Sequence, residues 1–193
     1  MRLQRLMLLF VCTLTICSCA KNPFSTRDNE EPTEPVGTFI PPTSPLIVLE
    51  NLRFAYAELV IGNFVQCLDS NFTYRFDFLQ TLPGDTAWDY RQEVNLTTKM
   101  FSAFSADKSR RITIEFTPQV DQPDLVLDTT ATLIRSYILS VTDTLGTVKQ
   151  NFQGIARFDL VEGAFNFWSL RRWEDLHEDL DINSWAEFKN AYR

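Results

Sequence analysis

The sequence predicts an α+β domain, with helices gathered in its first half and a long antiparallel sheet in its second. Three observations carry this. Leu46 to Leu59 is apolar with only a narrow polar stripe, Asn71 to Phe78 alternates strictly, and from Arg110 onward the chain runs in alternating, β-branched stretches. Its 193 residues are 45% hydrophobic and 22% charged, enough for one buried core and too few for two comfortable domains.

Met1 to Ile16, MRLQRLMLLFVCTLTI, sets two arginines before a short apolar run, the n-region and h-region of a secretory signal. A membrane-spanning helix needs about twenty apolar residues, so this run is too short to stay as an anchor. Ile16-Cys17-Ser18-Cys19 follows and resembles the bacterial lipobox: an aliphatic residue, a tolerated one, a small one, then the cysteine that is acylated. Cys17 fits less well, because Ile16 stands where a small side chain is wanted. The resemblance implies residues 1–18 as a lipoprotein signal peptide and Cys19 as the lipidation site, with a diacylglyceryl thioether and an acylated α-amine. Two or more acyl chains hold a protein stably, at about 0.8 kcal/mol per buried CH₂. It further implies a bacterial cell-envelope protein, lipid-anchored at the outer membrane and facing the periplasm, since Ala20 is not the aspartate that retains some lipoproteins at the inner membrane. The alternative is cleavage after Ala20 and a secreted soluble product. With Cys12 and Cys17 removed and Cys19 acylated, Cys67 is left alone, so neither an intramolecular disulfide nor a cysteine metal cluster is expected.

Residues 19–43 hold five of the nine prolines, together with Asp28, Glu30, Glu31 and Glu34. Such a segment buries too little to offset its ordering entropy and is expected to be a disordered tether, with a reach of roughly 25–30 Å. Order is expected from Ser44-Pro45, an N-cap residue followed by proline at the first helical position. A largely buried helix then runs to Leu59, and Gly62 marks a break before a shorter helix through Phe64, Cys67 and Leu68. In the strand Asn71 to Phe78, Phe72, Tyr74, Phe76 and Phe78 share one face. Thr86-Ala87-Trp88-Asp89 fits a capping-box start for a helix through Phe104. Strands are expected around Ile112 to Phe116, over Ala131 to Val141, Phe152 to Val161 and Phe165 to Trp173, with a hairpin turn at Glu162-Gly163 and a closing helix from Ser184.

This succession of elements resembles the nuclear-transport-factor-2-like (SnoaL-like, cystatin-like) fold. The likeness is carried by Val48-Leu49-Glu50-Asn51-Leu52-Arg53-Phe54-Ala55-Tyr56, by Phe72-Thr73-Tyr74-Arg75-Phe76-Asp77, and by Trp168-Ser169-Leu170-Arg171-Arg172-Trp173-Glu174-Asp175 with Trp185, which are similar to uncharacterised bacterial lipoproteins of that type. It implies residues 44–193 as one domain, a curved antiparallel sheet wrapped around N-terminal helices to make a cone. On activity it says little, because the fold carries isomerases, cyclases, dehydratases and adaptors alike.

A net charge of −7 without a basic stripe argues against nucleic acid as a partner. His177 is the only histidine and falls in an acidic run, Glu174, Asp175, Glu178, Asp179 and Asp181, read as a solvated loop beyond the last strand. No G-x-S-x-G elbow accompanies it, and the acidic run lacks the ligand spacing of a calcium loop. No catalytic residue, metal or cofactor is therefore expected. Arg75 and Asp77 lie on the strand face opposite the aromatics, as a surface ion pair. In the opposite orientation Asp77 becomes the proton-transfer base of an isomerase-like or dehydratase-like enzyme. Tyr74, Trp88, Tyr137, Trp168 and Arg171 lie on elements that bound the cone in this family. The resemblance implies either a pocket whose aromatic walls and guanidinium take an apolar ligand with an anionic end, or a core filled by these rings with their polar tips bonded.

The reading that follows is a non-catalytic, membrane-anchored domain binding a small ligand or a protein partner, with the enzyme as the alternative. Apolar residues on both faces of the later strands, Leu133, Tyr137 and Leu139 against Ile134 and Ile138, then Phe165 and Phe167 against Trp168 and Leu170, point to a homodimer through the sheet.

Overall fold

Helix α1 (Pro45–Glu58) begins as its sequence dictates, with Ser44 extended at the N-cap and Pro45 in the first turn, where a missing N–H costs nothing. The computed structural model describes residues 37–76, 87–176 and 183–193, so the signal segment, Cys19, Asp77 and His177 lie outside the described residues. Gly37 to Thr43, expected as the end of the tether, is docked instead. Fully buried Asn51 accepts from the Ile40 N–H at 2.8 Å and donates to the Ile40 carbonyl at 2.7 Å, and the Trp168 N–H donates to the Pro42 carbonyl at 2.7 Å. A buried amide needs both a donor and an acceptor, and an extended backbone supplies them together.

The break after α1 falls at Leu59, whose backbone is left-handed (φ 58°, ψ 34°), while Gly62 lies inside α2 (Ile61–Gln66). Leu59 packs against the core, which offsets a conformation that a non-glycine residue rarely takes. Strand β1 (Leu68–Arg75) buries Phe72 and Tyr74, with Phe76 just beyond it, and turns Arg75 outward. Ala87 to Asp89 forms the short strand β2 on β1, so the capping box of α3 (Tyr90–Ala106) is set by Asp89 and Gln92 and not by Thr86. Then follow β3 (Arg110–Pro118), a two-residue β4 (Leu125–Val126), β5 (Thr130–Asp143), β6 (Val148–Glu162), β7 (Trp168–Leu176) and the closing helix α4 (Trp185–Asn190), capped by Ser184 and Glu187 as its sequence suggests.

The sheet order is β2-β1-β7-β6-β5-β3, with β4 also on β5. The long strands pair antiparallel, but β1 lies parallel to β7, so the sheet is mixed rather than antiparallel throughout. A parallel pair needs a long crossover, and everything between β1 and β7 supplies one. The register slips between Val141 and Thr142, and between Asp159 and Leu160. Such irregularities bend a sheet, and this one stays open and curved around the helices.

Leu133, Tyr137 and Leu139 face inward and are buried, while Ile134 is half-buried and Ile138 is 42% exposed on the outer face. That outer face is not a continuous apolar patch: on β6 it carries Asp159 paired with Arg157 at 3.2 Å and with Arg172 at 3.5 Å. Phe165 and Phe167 are exposed in and after a 3₁₀ turn (Ala164–Asn166) and do not belong to β7. Among the described residues no helix is long and apolar enough to cross a membrane.

Gly154 faces Tyr137 across β5 and β6. A Cβ there would stand 2.9 Å from the Tyr137 hydroxyl oxygen and 3.2 Å from the Leu176 carbonyl oxygen. Glycine weakens a strand, so intrinsic preference alone would make Gly154→Ala stabilising. The close approach instead predicts a loss of roughly 1–3 kcal/mol from overpacking, read from urea unfolding; an unchanged or higher midpoint would contradict it.

Candidate functional site

Within β7, Trp173 and Asp175 are two residues apart and share the inward face. Asp175 is thus no part of a solvated run: it is fully buried at the centre of the cone. Strand pairing overrides the local charge pattern here, because β7 pairs with β6 up to Leu176. The Tyr137 hydroxyl donates to one carboxyl oxygen at 2.7 Å, and the Tyr74 hydroxyl and the Ala186 N–H donate to the other at 3.1 and 3.0 Å. Burial pushes the Asp175 carboxyl above its usual range, opposed by these three bonds and the nearby Lys189 charge. The phenols of Tyr74 and Tyr137 are raised by burial first and by the Asp175 charge second, so they remain donors.

Helix α4 fills the space beside this carboxylate. Trp185 donates its N–H to the Tyr137 oxygen at 2.9 Å and its indole N–H to the Tyr56 oxygen at 3.2 Å. Its ring meets those of Tyr56, Tyr137 and Trp173 edge-on at centroid distances of 5.1, 5.3 and 4.1 Å. One turn on, Lys189 is fully buried, with its ammonium on Glu93 Oε1 and over the rings of Tyr74 and Trp173 at 4.6 and 4.7 Å. Glu93, also fully buried on α3, has no partner for Oε2. Burial lowers the Lys189 pKa, and Glu93 opposes that shift.

Of the residues singled out from the sequence, Tyr74 and Tyr137 meet on Asp175, and Trp88 stacks on Tyr74 at 5.2 Å. Trp88 also borders a cleft of about 140 Å³ with Gln92, Asn95 and Lys99. Trp168 is buried at the far end of β7 from Asp175. Arg171 stands apart from them: the register slip leaves it without a partner on β6, and it leaves by the outer face beside Arg172, paired with Asp69 at 3.5 Å. Cys67 is buried, its thiol donating to the Asn63 carbonyl at 3.2 Å and pushed up to about 12 by burial.

Sequence reasoning missed Asp175, Glu93, Lys189 and Arg135. Parity with Trp173 would have found Asp175. Helical spacing places Glu93 on the buried face of α3 with Leu96, Met100 and Phe104. Among the described residues no group of acidic, histidine and cysteine side chains is arranged to hold a metal ion.

If the Lys189 ammonium neutralises Glu93, Lys189→Met should leave an uncompensated buried charge and cost roughly 3–5 kcal/mol. The pair Glu93→Leu with Lys189→Met should recover most of that. Thermal and urea unfolding of the three proteins check this, and a double variant no more stable than Lys189→Met contradicts it.

No protein-family model and no curated protein matches the chain. Solved structures do. A protein from Kribbella flavida aligns with a TM-score of 0.53 at 12% identity, covering 69% of this chain and 88% of its own. A protein of unknown function from Mycobacterium tuberculosis aligns at 0.50 and 11% identity, covering 70% of each chain. A Thiobacillus denitrificans protein named for a calcium/calmodulin-dependent protein kinase type II association domain aligns at 0.50 and 9% identity, covering 70% of this chain and 96% of its own. At these identities the likeness is one of fold, and the fold, an open curved sheet closed over helices, is the nuclear-transport-factor-2-like cone.

Proposed function

We propose that residues 37–193 are a non-catalytic binding domain, held by lipid on Cys19 at the periplasmic side of a bacterial outer membrane, where it takes a small ligand or a protein partner. The observation that carries the non-catalytic part is the state of Asp175. A general base must come within hydrogen-bond reach of a substrate proton, and around Asp175 three donors of the chain itself occupy that reach. The anchoring part is supported by the short apolar run closing on Ile16-Cys17-Ser18-Cys19 and by the proline-rich acidic stretch after it. Pairing of two copies over Ile134 and Ile138 is among the partners proposed. One observation favours the alternative, an isomerase-like or dehydratase-like enzyme: two tyrosines on one buried carboxyl inside the cone. That chemistry would run through Asp175, with the α4 amide withdrawn from it.

Two variants of the full chain, returned to a deletion strain, test the reading. Cys19→Ala should leave the membrane fraction after a carbonate wash and fail to restore whatever the deletion impairs. Asp175→Asn, at matched abundance of folded and membrane-bound protein, should restore it. The reverse pattern puts the enzyme first.

A further inference from the structure

One inward position of β5 breaks the rule that the rest of the strand obeys. Leu133, Tyr137, Leu139 and Val141 are buried apolar or aromatic residues, and between them Arg135 faces the same way and is only 3% exposed. Functional or strained sites are expected where a local rule is broken at a core position. Both terminal nitrogens of Arg135 lie on Asp124, at 2.5 and 2.7 Å, and one also donates to the Ile134 carbonyl at 2.8 Å. This is the two-pronged grip by which a guanidinium recognises a carboxylate. The partners differ in depth, since the Asp124 side chain is 31% exposed and belongs to the irregular connection between β3 and β4. The cation is fixed in the sheet, and its anion comes from the surface.

Beside Arg135 opens a groove of about 220 Å³ between α1 and the end of β3. Leu46 and Leu49 form one wall, Phe116 and Pro118 the other, and Arg53 stands at the rim with Glu50, whose carboxylate it neutralises. Arg53 is held there by its Nε on the Ile114 carbonyl at 3.2 Å and by Glu50 at 2.7 Å. The volume corresponds to about seven waters, enough for a single ring or a short hydrocarbon chain. We propose that this groove takes an amphipathic carboxylate, its aryl or alkyl body between the two apolar walls and its head on the Arg135 guanidinium in place of Asp124.

Exchanging one carboxylate for another keeps the buried cation paired throughout, so the large cost of an unpaired buried charge is never met. Released Asp124 is hydrated at the surface, and the ligand's body is desolvated between Leu46 and Phe116. The guanidinium that the sequence suggested at Arg171 faces outward, whereas Arg135 is the one that meets apolar walls. The inference rests on the binding reading above and names its ligand class.

Calorimetric titration of the full chain carrying Cys19→Ala, with octanoate and phenylacetate as probes and octylammonium as control, tests it. Both carboxylates should bind saturably and the ammonium should not. Asp124→Asn removes the internal competitor and should bind them at least roughly ten-fold more tightly. Arg135→Gln should abolish binding; because it also removes a buried ion pair of the sheet, Leu46→Glu serves as the second variant. Leu46 is 56% exposed, so that protein should keep its unfolding midpoint while affinity falls roughly ten-fold or more. Absence of saturable carboxylate binding by Asp124→Asn, equal binding of the ammonium, or indifference to Leu46→Glu each overturns the proposal. Membrane fractionation of the wild-type chain is read separately, so failure of the groove is distinguishable from failure of the anchored-domain reading.

Discussion

The carboxylate of Asp175 is where the sheet and the closing helix meet. A carboxylate taken out of water loses its hydration and persists only when the protein replaces it, bond for bond. The replacements come from three elements far apart in sequence: Tyr74 from β1, Tyr137 from β5 and the Ala186 amide from α4. Each bond has an angular as well as a radial requirement. The position of α4 relative to β1, β5 and β7 is thereby set more narrowly than apolar packing alone would set it.

Other features follow from that constraint. Tyr137 can bring its hydroxyl between Asp175 and the Trp185 amide because the residue across the ladder is Gly154. Trp185 then lies among Tyr56, Tyr137 and Trp173, and Lys189, one turn later, falls over Tyr74 and Trp173 with Glu93 as its counter-ion. Two charged systems share one aromatic shell, and each depends on α4. The centre of the cone is accordingly a scaffold. The groove proposed as a ligand site lies at the margin of this packed centre, where the buried Arg135 meets the more exposed Asp124.

How much of this was legible in the sequence varied with the range of the determining interaction. The helix starts at Ser44-Pro45 and Ser184 are local signals, and both open helices as read, the second through a capping box with Glu187. The long strands declare themselves by alternation, because one face must be buried. The parallel pairing of β1 with β7 left no local mark, since it depends on what the intervening chain builds. Arg171 was grouped with the inward rings although parity with Trp168 and Leu170 already puts it on the outer face; the bulge beside it, which no count along the sequence reveals, is what returns Trp173 to the inner face. Asp175 was misread because a run of acidic neighbours looks solvated, although two-residue spacing from Trp173 already put it on the inner face. Lys189 carried only a weak signal, four residues after Trp185. Its depth follows from how far α4 enters the cone.

Asp175 holds α4 as firmly as the sheet itself is held. Native-state hydrogen exchange at the Trp185 and Ala186 amides measures that directly. If the helix is pinned as described, both amides should exchange only through global unfolding, with the same protection as inward residues of β5 and β6 such as Leu139 and Phe158, and Asp175→Asn should lower their protection together with the global stability. Exchange of these two amides near the rate of an exposed chain, while β5 and β6 stay protected, would show that α4 opens on its own and would contradict the account.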